Sequence, residues 1–235
     1  MGISVMLLAY KEEENLRVLC PQIIEVMNRI GEEYEINVID TKEPLDHTSD
    51  YCREIGINYY NQEESGFGGA YRKGIEVANM DKLLALDSDG SHSPEYIPAI
   101  YEKFLEGYDV VIGSRYTKGG HTEDAKLCQI MSWMLNTAYR VCLGIRAKDI
   151  STNYRLYHTE QLKSLELSCV NYDVLEEILL KLKLLVGKKG FKVGESPISF
   201  SKRLYGESKR RLIPFIVSYI KTLFRLWKMR IEYKS

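Results

Sequence analysis

Leu83-Leu84-Ala85-Leu86-Asp87-Ser88-Asp89-Gly90 is an apolar run that stops at two carboxylates one residue apart. Four consecutive apolar residues bounded by charge suit a strand buried on both faces, the kind found where helices cover both sides of a parallel sheet. Similar runs predict strands at Ile3–Ala9, Tyr34–Asp40, Ile57–Tyr60, Lys82–Asp87, Asp109–Gly113, Asn153–Tyr157 and Phe191–Phe200. Segments of helical period alternate with them: Glu12–Ile30, Thr48–Ile55, Gly68–Ala78, Pro94–Leu105, Asp124–Leu143 and Tyr172–Val186. In the first, Leu16, Leu19, Ile23 and Met27 share a face. The expected fold is α/β: one domain over 1–207, a mostly parallel central sheet with helices on both faces, then a basic amphipathic helix over 208–235.

The chain's 235 residues, 45% hydrophobic and 28% charged, suffice for a sizeable core and exclude disorder and coiled coil. A formal charge of -1 gives no bulk attraction for nucleic acid, but it is unevenly spread. From Ser208 onward there are eight Lys/Arg and one Glu, a net +7, against 24 basic and 32 acidic residues before it. Five scattered cysteines without a C-x-x-C pair fit neither a disulfide framework nor a zinc site and point to a reducing compartment. Met1 to Ala9 lacks a basic start and reads as a strand rather than a signal peptide, and no run of 18 uncharged apolar residues predicts a membrane span.

In open parallel sheets ligands bind beyond the carboxyl ends of the strands. Here those ends carry Tyr10, Lys11 and Glu12, then Asp40, then Asp87 and Asp89, then Ser114 and Arg115. If the strand stays extended, Asp87 and Asp89 point the same way. Paired carboxylates with an open side hold Mg2+ or Mn2+ against a diphosphate, and the alternative is an ordinary strand-end turn with solvated acids. Ser65-Gly66-Phe67-Gly68-Gly69-Ala70 opens a helix. Its glycines either let amides approach a phosphate or serve tight packing. Tyr71 stands where G-x-G-x-x-G needs glycine, against a nicotinamide enzyme. Arg115 and Arg155 lie in apolar or aromatic segments, where a guanidinium needs an anionic partner or a route to water, and a substrate phosphate would be such a partner. His47, His92, His121 and His158 have no metal-ligand spacing, although Ser91 and His92 follow the acid pair closely enough to line its site.

Taken in order, these motifs resemble the inverting nucleotide-sugar glycosyltransferases of family 2, with the glycosyltransferase-A fold, and most closely the dolichyl-phosphate mannose synthase-like branch. Ala9-Tyr10-Lys11-Glu12-Glu13-Glu14-Asn15-Leu16 resembles T-Y-N-E-x-E-N-L, and Gly66-Phe67-Gly68-Gly69-Ala70 resembles G-x-G-x-A. Asp87 to Pro94 resembles D-A-D-x-S/Q-H-x-P, Gly113-Ser114-Arg115-Tyr116 resembles G-S-R-Y, and Asp149 to Tyr157 resembles D-x-T-S-G-F-R-x-Y. The most specific stretch, Glu195 to Phe200 through Arg203, Tyr205, Gly206, Glu207, Ser208 and Lys209, resembles E-V-P-I-x-F-x-x-R-x-x-G-x-S-K.

The resemblance implies metal-dependent transfer of a hexose from a nucleoside diphosphate to a polyprenyl phosphate, with inversion. Tyr10, Glu12 and Asp40 would hold the nucleoside, with Gly68 and Ser132 as further substrate contacts. Asp87 and Asp89 would hold Mg2+ or Mn2+, while Arg115, Arg155, Arg203 and Lys209 would clamp phosphates. Asp89, Arg115, Arg155 and Arg203 are the candidate catalytic residues. A phosphate acceptor, with a second pKa near about 6, is already anionic and needs no general base. A hydroxyl acceptor needs one, and Glu176 and Glu177 are the candidates. Where the family shows D-D-G-S after the second strand, Asp40-Thr41-Lys42-Glu43 keeps the first aspartate and loses the second, with Asp46 as a substitute; Lys11, Asn153 and Cys128 also depart from the pattern. Two other readings stay open: transfer to a hydroxyl of a glycan, or a weakly active nucleotide-sugar-binding subunit. Finally, Leu212, Ile216, Ile220, Leu223, Trp227 and Ile231 recur at helical spacing, with Lys221, Arg225 and Lys228 on another side. This predicts an amphipathic helix that either packs on the core or lies on an anionic membrane surface, making the protein a peripheral enzyme on the cytoplasmic face.

Overall fold

The computed structural model describes residues 2–187, 190–206 and 212–232, with the backbone alone over 212–218. The chain runs β1 (Gly2–Leu8), α1 (Glu13–Ile30), β2 (Glu33–Asp40), α2 (Thr48–Ile55), β3 (Asn58–Asn61), α3 (Phe67–Val77), β4 (Lys82–Asp87), α4 (Ile97–Leu105), β5 (Val110–Ser114) and β6 (His121–Thr122). It continues through α5 (Lys126–Leu143), β7 (Arg155–His158), α6 (Thr159–Lys163), α7 (Val174–Val186), β8 (Val193–Pro197), β9 (Ser199–Phe200) and α8 (Leu212–Glu232).

Seven strands form one sheet in the order β3-β2-β1-β4-β7-β5-β8. All its pairings are parallel except those of β7, which runs antiparallel to both β4 and β5. Strand alternation divides the core. Val5, Leu7, Leu84 and Leu86 pack with Leu16, Ile23 and Met27 of α1 and Phe104 of α4. Met6, Leu83 and Ala85 face Tyr71 of α3, Leu179 of α7 and Leu226 of α8 on the other side. This two-sided burial is the arrangement that the uninterrupted apolar runs require.

The predicted strand over 191–200 divides in two. Val193–Pro197 joins β5 in the main sheet, whereas Ser199–Phe200 pairs with β6 in a separate two-stranded ribbon. Pro197 ends the first piece, where its missing N–H costs no ladder bond. The C-terminal helix α8 packs against α5 and α7. Its Tyr219 and Leu226 are buried while Ile220, Phe224, Trp227 and Ile231 are exposed, so the apolar surface serves the core on one side only.

Candidate active site

Asp87 ends β4, but Ser88 and Asp89 are already in a turn, and Gly90 takes a positive φ of 79°. The strand therefore does not carry both carboxylates in one extended direction. The turn is fixed by Asp89 itself, whose Oδ1 accepts from the Ser91 amide at 3.0 Å and the Ser91 hydroxyl at 2.5 Å. Its Oδ2 takes the Arg203 guanidinium, Nε at 3.4 Å and Nη2 at 3.2 Å. Burial pushes the Asp89 carboxyl up, but these hydrogen bonds and the Arg203 charge outweigh it and hold it below the usual range.

Asp87 is gripped from the other side. Asn153 donates to its Oδ1 at 3.1 Å, and its backbone N–H donates to Nδ1 of His92 at 3.0 Å. Nδ1 thus acts as acceptor, which puts the proton of the neutral ring on Nε2, 3.3 Å from the Thr152 hydroxyl. Burial lowers the His92 pKa despite the pull of Asp87 and Asp89. His92 ties the acid loop to the 149–153 segment rather than offering itself to a ligand.

Arg203 also reaches Glu12, Nη2 to Oε1 at 3.0 Å, so one guanidinium from the C-terminal part of the chain bridges the carboxylates that follow β1 and β4. Burial raises the Glu12 pKa, with Asn15 and Arg203 opposing. The 201–205 segment is stitched across the acids: Ser201 N donates to Ser91 O, Leu204 N to Asp89 O, and Tyr205 N to the Asn15 side chain. A Cβ at Gly90 would lie 2.5 Å from Leu204, so glycine permits both the positive φ and this close cover.

A second cluster surrounds Arg115. Its Nε and Nη2 form a forked pair with Asp149 at 2.8 and 2.9 Å, and Nη2 also reaches Ser151 at 3.2 Å and Ser132 at 3.4 Å. Burial would weaken its hold on the proton, but Asp149 more than reverses this and keeps it charged. The two clusters meet at Phe200, whose ring contacts both His92 and Arg115.

Glu12, Asp87, Asp89, Arg115, Ser132 and Arg203 therefore gather at the carboxyl end of β4 and its neighbours, and Tyr10 is exposed at the end of β1. Two expectations are corrected. Arg155 is fully buried and gives its guanidinium to the carbonyls of Ile150, Thr152 and Leu175 and to the Tyr157 hydroxyl, so it braces the fold and does not face a phosphate. Gly68 donates its N–H to Val170 O at 2.8 Å, and a Cβ there would sit 2.0 Å from the Cys169 carbonyl. The close approach that glycine permits is to the chain's own backbone. Asp46 accepts from the amides of Glu13 and Thr48 in the first turns of α1 and α2, so the structure gives it a helix-capping role. Asp40 is buried, its carboxylate taken by Thr41 and by the Tyr59 hydroxyl at 3.0 Å. Lys209 lies outside the described residues. Asn15, Asp149, Asn153 and Phe200 carry no predicted role, although each lies inside one of the family-like motifs. Gly68→Ala is expected to destabilise the fold by about 1–3 kcal/mol through overpacking, measurable as a lower melting temperature.

Neither glutamate offered as a general base reaches this site. Glu176 is fully buried and burial pushes its carboxyl up to about 8, partly opposed by Arg155. Glu177 accepts from the Ser168 and Cys169 amides and pairs with Lys181 at 2.9 Å. Among the described residues no three His, Cys, Asp or Glu side chains form a ready-made metal cage.

Residues 4–166 match the family described as Glycosyl transferase family 2. The chain is 34% identical over 97% of its length to a protein named dolichol-phosphate mannosyltransferase from Pyrococcus furiosus, of which it spans 64%. It is 30% identical over 87% of its length to polyprenol monophosphomannose synthase from Mycolicibacterium smegmatis, spanning 79% of that protein. Glucosyl-3-phosphoglycerate synthase from Mycobacterium tuberculosis, solved with Mn2+, uridine diphosphate and glucosyl-3-phosphoglycerate, shares the fold with a TM-score of 0.71 at 19% identity, covering 97% of this chain and 80% of that one. The same enzyme with Mg2+ and uridine diphosphate gives a TM-score of 0.70 at 18% identity, covering 97% and 79%.

Proposed function

From the premise that this chain belongs to glycosyl transferase family 2, we propose that it transfers a hexose, with inversion, from a nucleoside-diphosphate sugar to a polyprenyl phosphate at a membrane surface. The names of the two relatives support the lipid acceptor. The observation that carries it is the removal of Glu176 and Glu177 from the site, since a phosphate acceptor is anionic at neutral pH and needs no base.

The donor set fits a divalent cation. Asp87 and Asp89 are hard oxygen ligands, and the space beside Asp89 and Glu12 already holds a cation in the form of the Arg203 guanidinium. Mg2+ or Mn2+, when bound, neutralises charge on the leaving diphosphate. Tyr10 and Glu12 contact the nucleoside end of the donor; Asp40 belongs to the floor beneath it. Arg115, backed by Asp149 and Ser132, turns to a phosphate the Nη1 that faces Asp124 at 3.6 Å, and Arg203 exchanges its carboxylate partners for phosphate oxygens. An acceptor phosphate oxygen forms the new bond at the anomeric carbon as the bond to the leaving diphosphate breaks, and no proton changes hands. Positioning and oriented positive charge carry the rate.

Helix α8, with Lys221, Arg225 and Lys228 beside its exposed apolar stripe, rests on the anionic cytoplasmic face. Among the described residues no helix is long and apolar enough to cross a membrane.

A panel of labelled nucleoside-diphosphate sugars with polyprenyl phosphate and Mn2+ tests the reading. Label extracted into organic solvent supports it; label only in water-soluble glycan overturns it in favour of a hydroxyl acceptor. Arg203→Ala is expected to slow transfer about 100-fold or more while changing stability by about 1 kcal/mol or less, since its ion pairs are partly solvated. Mn2+ binding without nucleotide, followed by electron paramagnetic resonance, should strengthen in that variant because no guanidinium competes for Asp89.

A further inference from the structure

Of the Glu12, Asp87 and Asp89 carboxylate oxygens, one alone has no protein donor among the described residues. Asp89 gives Oδ1 to Ser91 and Oδ2 to Arg203, and Glu12 gives Oε1 to Arg203 and Oε2 to the Asn15 amide. Asp87 gives Oδ1 to the side-chain amide of Asn153 at 3.1 Å. Its Oδ2 lies 3.6 Å from Nδ1 of His92, but that nitrogen already accepts from the Asp87 amide and, in the neutral ring, has no proton to offer. The Asp87 side chain is 22% exposed, so Oδ2 is the oxygen left for a ligand from outside. What turns it outward is the hydrogen bond that holds Oδ1.

Asn153 reaches this place through the reversed strand. β7 runs antiparallel to β4 with Ala85 opposite Arg155, and two residues further on the same register sets Asp87 opposite Asn153, on one face of the sheet. Its flanks are pinned: Thr152 O accepts from the Arg155 guanidinium at 2.7 Å, and Tyr154 O from the Gly113 amide at 2.8 Å. Only 4% of Asn153 is exposed, and its own side-chain oxygen is buried without a donor. The reversed amide would set that oxygen against Oδ1 of Asp87, so the contact itself fixes Nδ2 as the donor. A buried, unpaired carbonyl is a cost that glycine, the residue at this place in D-x-T-S-G-F-R-x-Y, would not carry. The contact that offsets this cost is the bond to Asp87.

We propose that Asn153 is a positioning residue for the divalent cation: by holding Oδ1 of Asp87 it fixes the carboxylate with Oδ2 turned to the metal. The inference rests on the reading of Asp87 as a metal ligand and adds a residue that touches neither metal nor substrate. A carboxylate already oriented loses less side-chain freedom when a cation arrives, and such supporting hydrogen bonds strengthen metal binding. The orientation counts for more at Asp87 than elsewhere, because each oxygen of Asp89 and Glu12 must first release a partner.

Mn2+ is titrated into the full chain with uridine diphosphate and, separately, guanosine diphosphate, and the free ion is read by electron paramagnetic resonance. Asn153→Ala is expected to raise the Mn2+ dissociation constant about tenfold or more. Its melting temperature without metal or nucleotide should stay close to that of the unmodified chain, since the substitution removes the unpaired carbonyl together with the lost bond. Asn153→Ser keeps a hydroxyl donor on a shorter arm and should lose less affinity than Asn153→Ala. In turnover the loss should appear as a higher Mn2+ requirement, with kcat largely recovered at saturating metal. Unchanged Mn2+ affinity in the alanine variant overturns the inference, and labelled lipid still made by the unmodified chain then spares the proposed activity. Equal losses of affinity in both variants, with melting temperatures lowered by the same margin, overturn it by making Asn153 a structural residue. Failure of the unmodified chain to bind Mn2+ with either nucleotide overturns the metal reading and this inference with it. Weakened Mn2+ binding by the alanine variant, in a chain that labels only water-soluble glycan, upholds the inference while the lipid acceptor falls.

Discussion

Arg155→Ala is expected to lower folding stability by about 3–5 kcal/mol, a fall of roughly 10 °C in melting temperature for a chain of this size. Its guanidinium is closed off from solvent and satisfies the carbonyls of Ile150, Thr152 and Leu175 together with the Tyr157 hydroxyl. Alanine leaves those oxygens orphaned in a dry interior and opens a cavity as well; losing the desolvated charge offsets part of this. Two of the carbonyls belong to the segment that also carries Asp149, Ser151 and Asn153, so the same strut aligns Arg115 and Asp87. At a temperature where the variant remains folded, transfer should persist at a reduced rate. A melting temperature equal to that of the unmodified chain, with transfer abolished, would reverse the assignment and return Arg155 to a phosphate.

Arg155 also shows where sequence ceases to be legible. An arginine in an apolar strand announces that something polar must meet it, and that much was readable. Its partners are backbone carbonyls three to five residues earlier and on α7, and backbone acceptors leave no mark in a sequence. Gly68 behaves alike: a missing Cβ declares a close approach without naming what approaches. The strand Lys82–Asp87 and the helix Thr48–Ile55 lie where the sequence predicts them, because an apolar run bounded by charge and a helix stopped by Gly56 are local signals. The reversed direction of β7, the two-residue strands of the small ribbon and the short α6 depend on which neighbours are available, so the local pattern was silent about them. The acid pair and Arg115 were legible as charged residues at strand ends, and Arg203 only through the family motif that contains it. Their grouping into a Glu12–Arg203–Asp89 bridge and an Arg115–Asp149 fork needed the fold.

Asp89→Asn is expected to abolish transfer, with a loss of about 1000-fold or more if the side chain is a metal ligand and about 100-fold if it only orients Arg203. The fold should survive. One amide oxygen can still accept from Ser91, and Arg203 retains Glu12, so the stability cost is about 1–2 kcal/mol. Some cost is required, because a carboxyl held below its usual pKa range is ionised more favourably in the folded chain than in the unfolded one. That contribution is present at neutral pH and fades as pH falls through the folded-state pKa. Neutralising Asp89 leaves Asp87 as the remaining acid of the pair, so saturation by Mn2+ in the presence of a nucleoside diphosphate should shift to higher concentration, whereas a residue that only orients Arg203 would leave the titration unmoved. Since two carboxylates supply too few ligands for a full shell, the unmodified protein should bind Mn2+ weakly until the diphosphate contributes its oxygens. Normal turnover by the asparagine variant in the presence of a chelator would remove metal from the reaction and leave Arg203 and Arg115 as the charges that stabilise the leaving group.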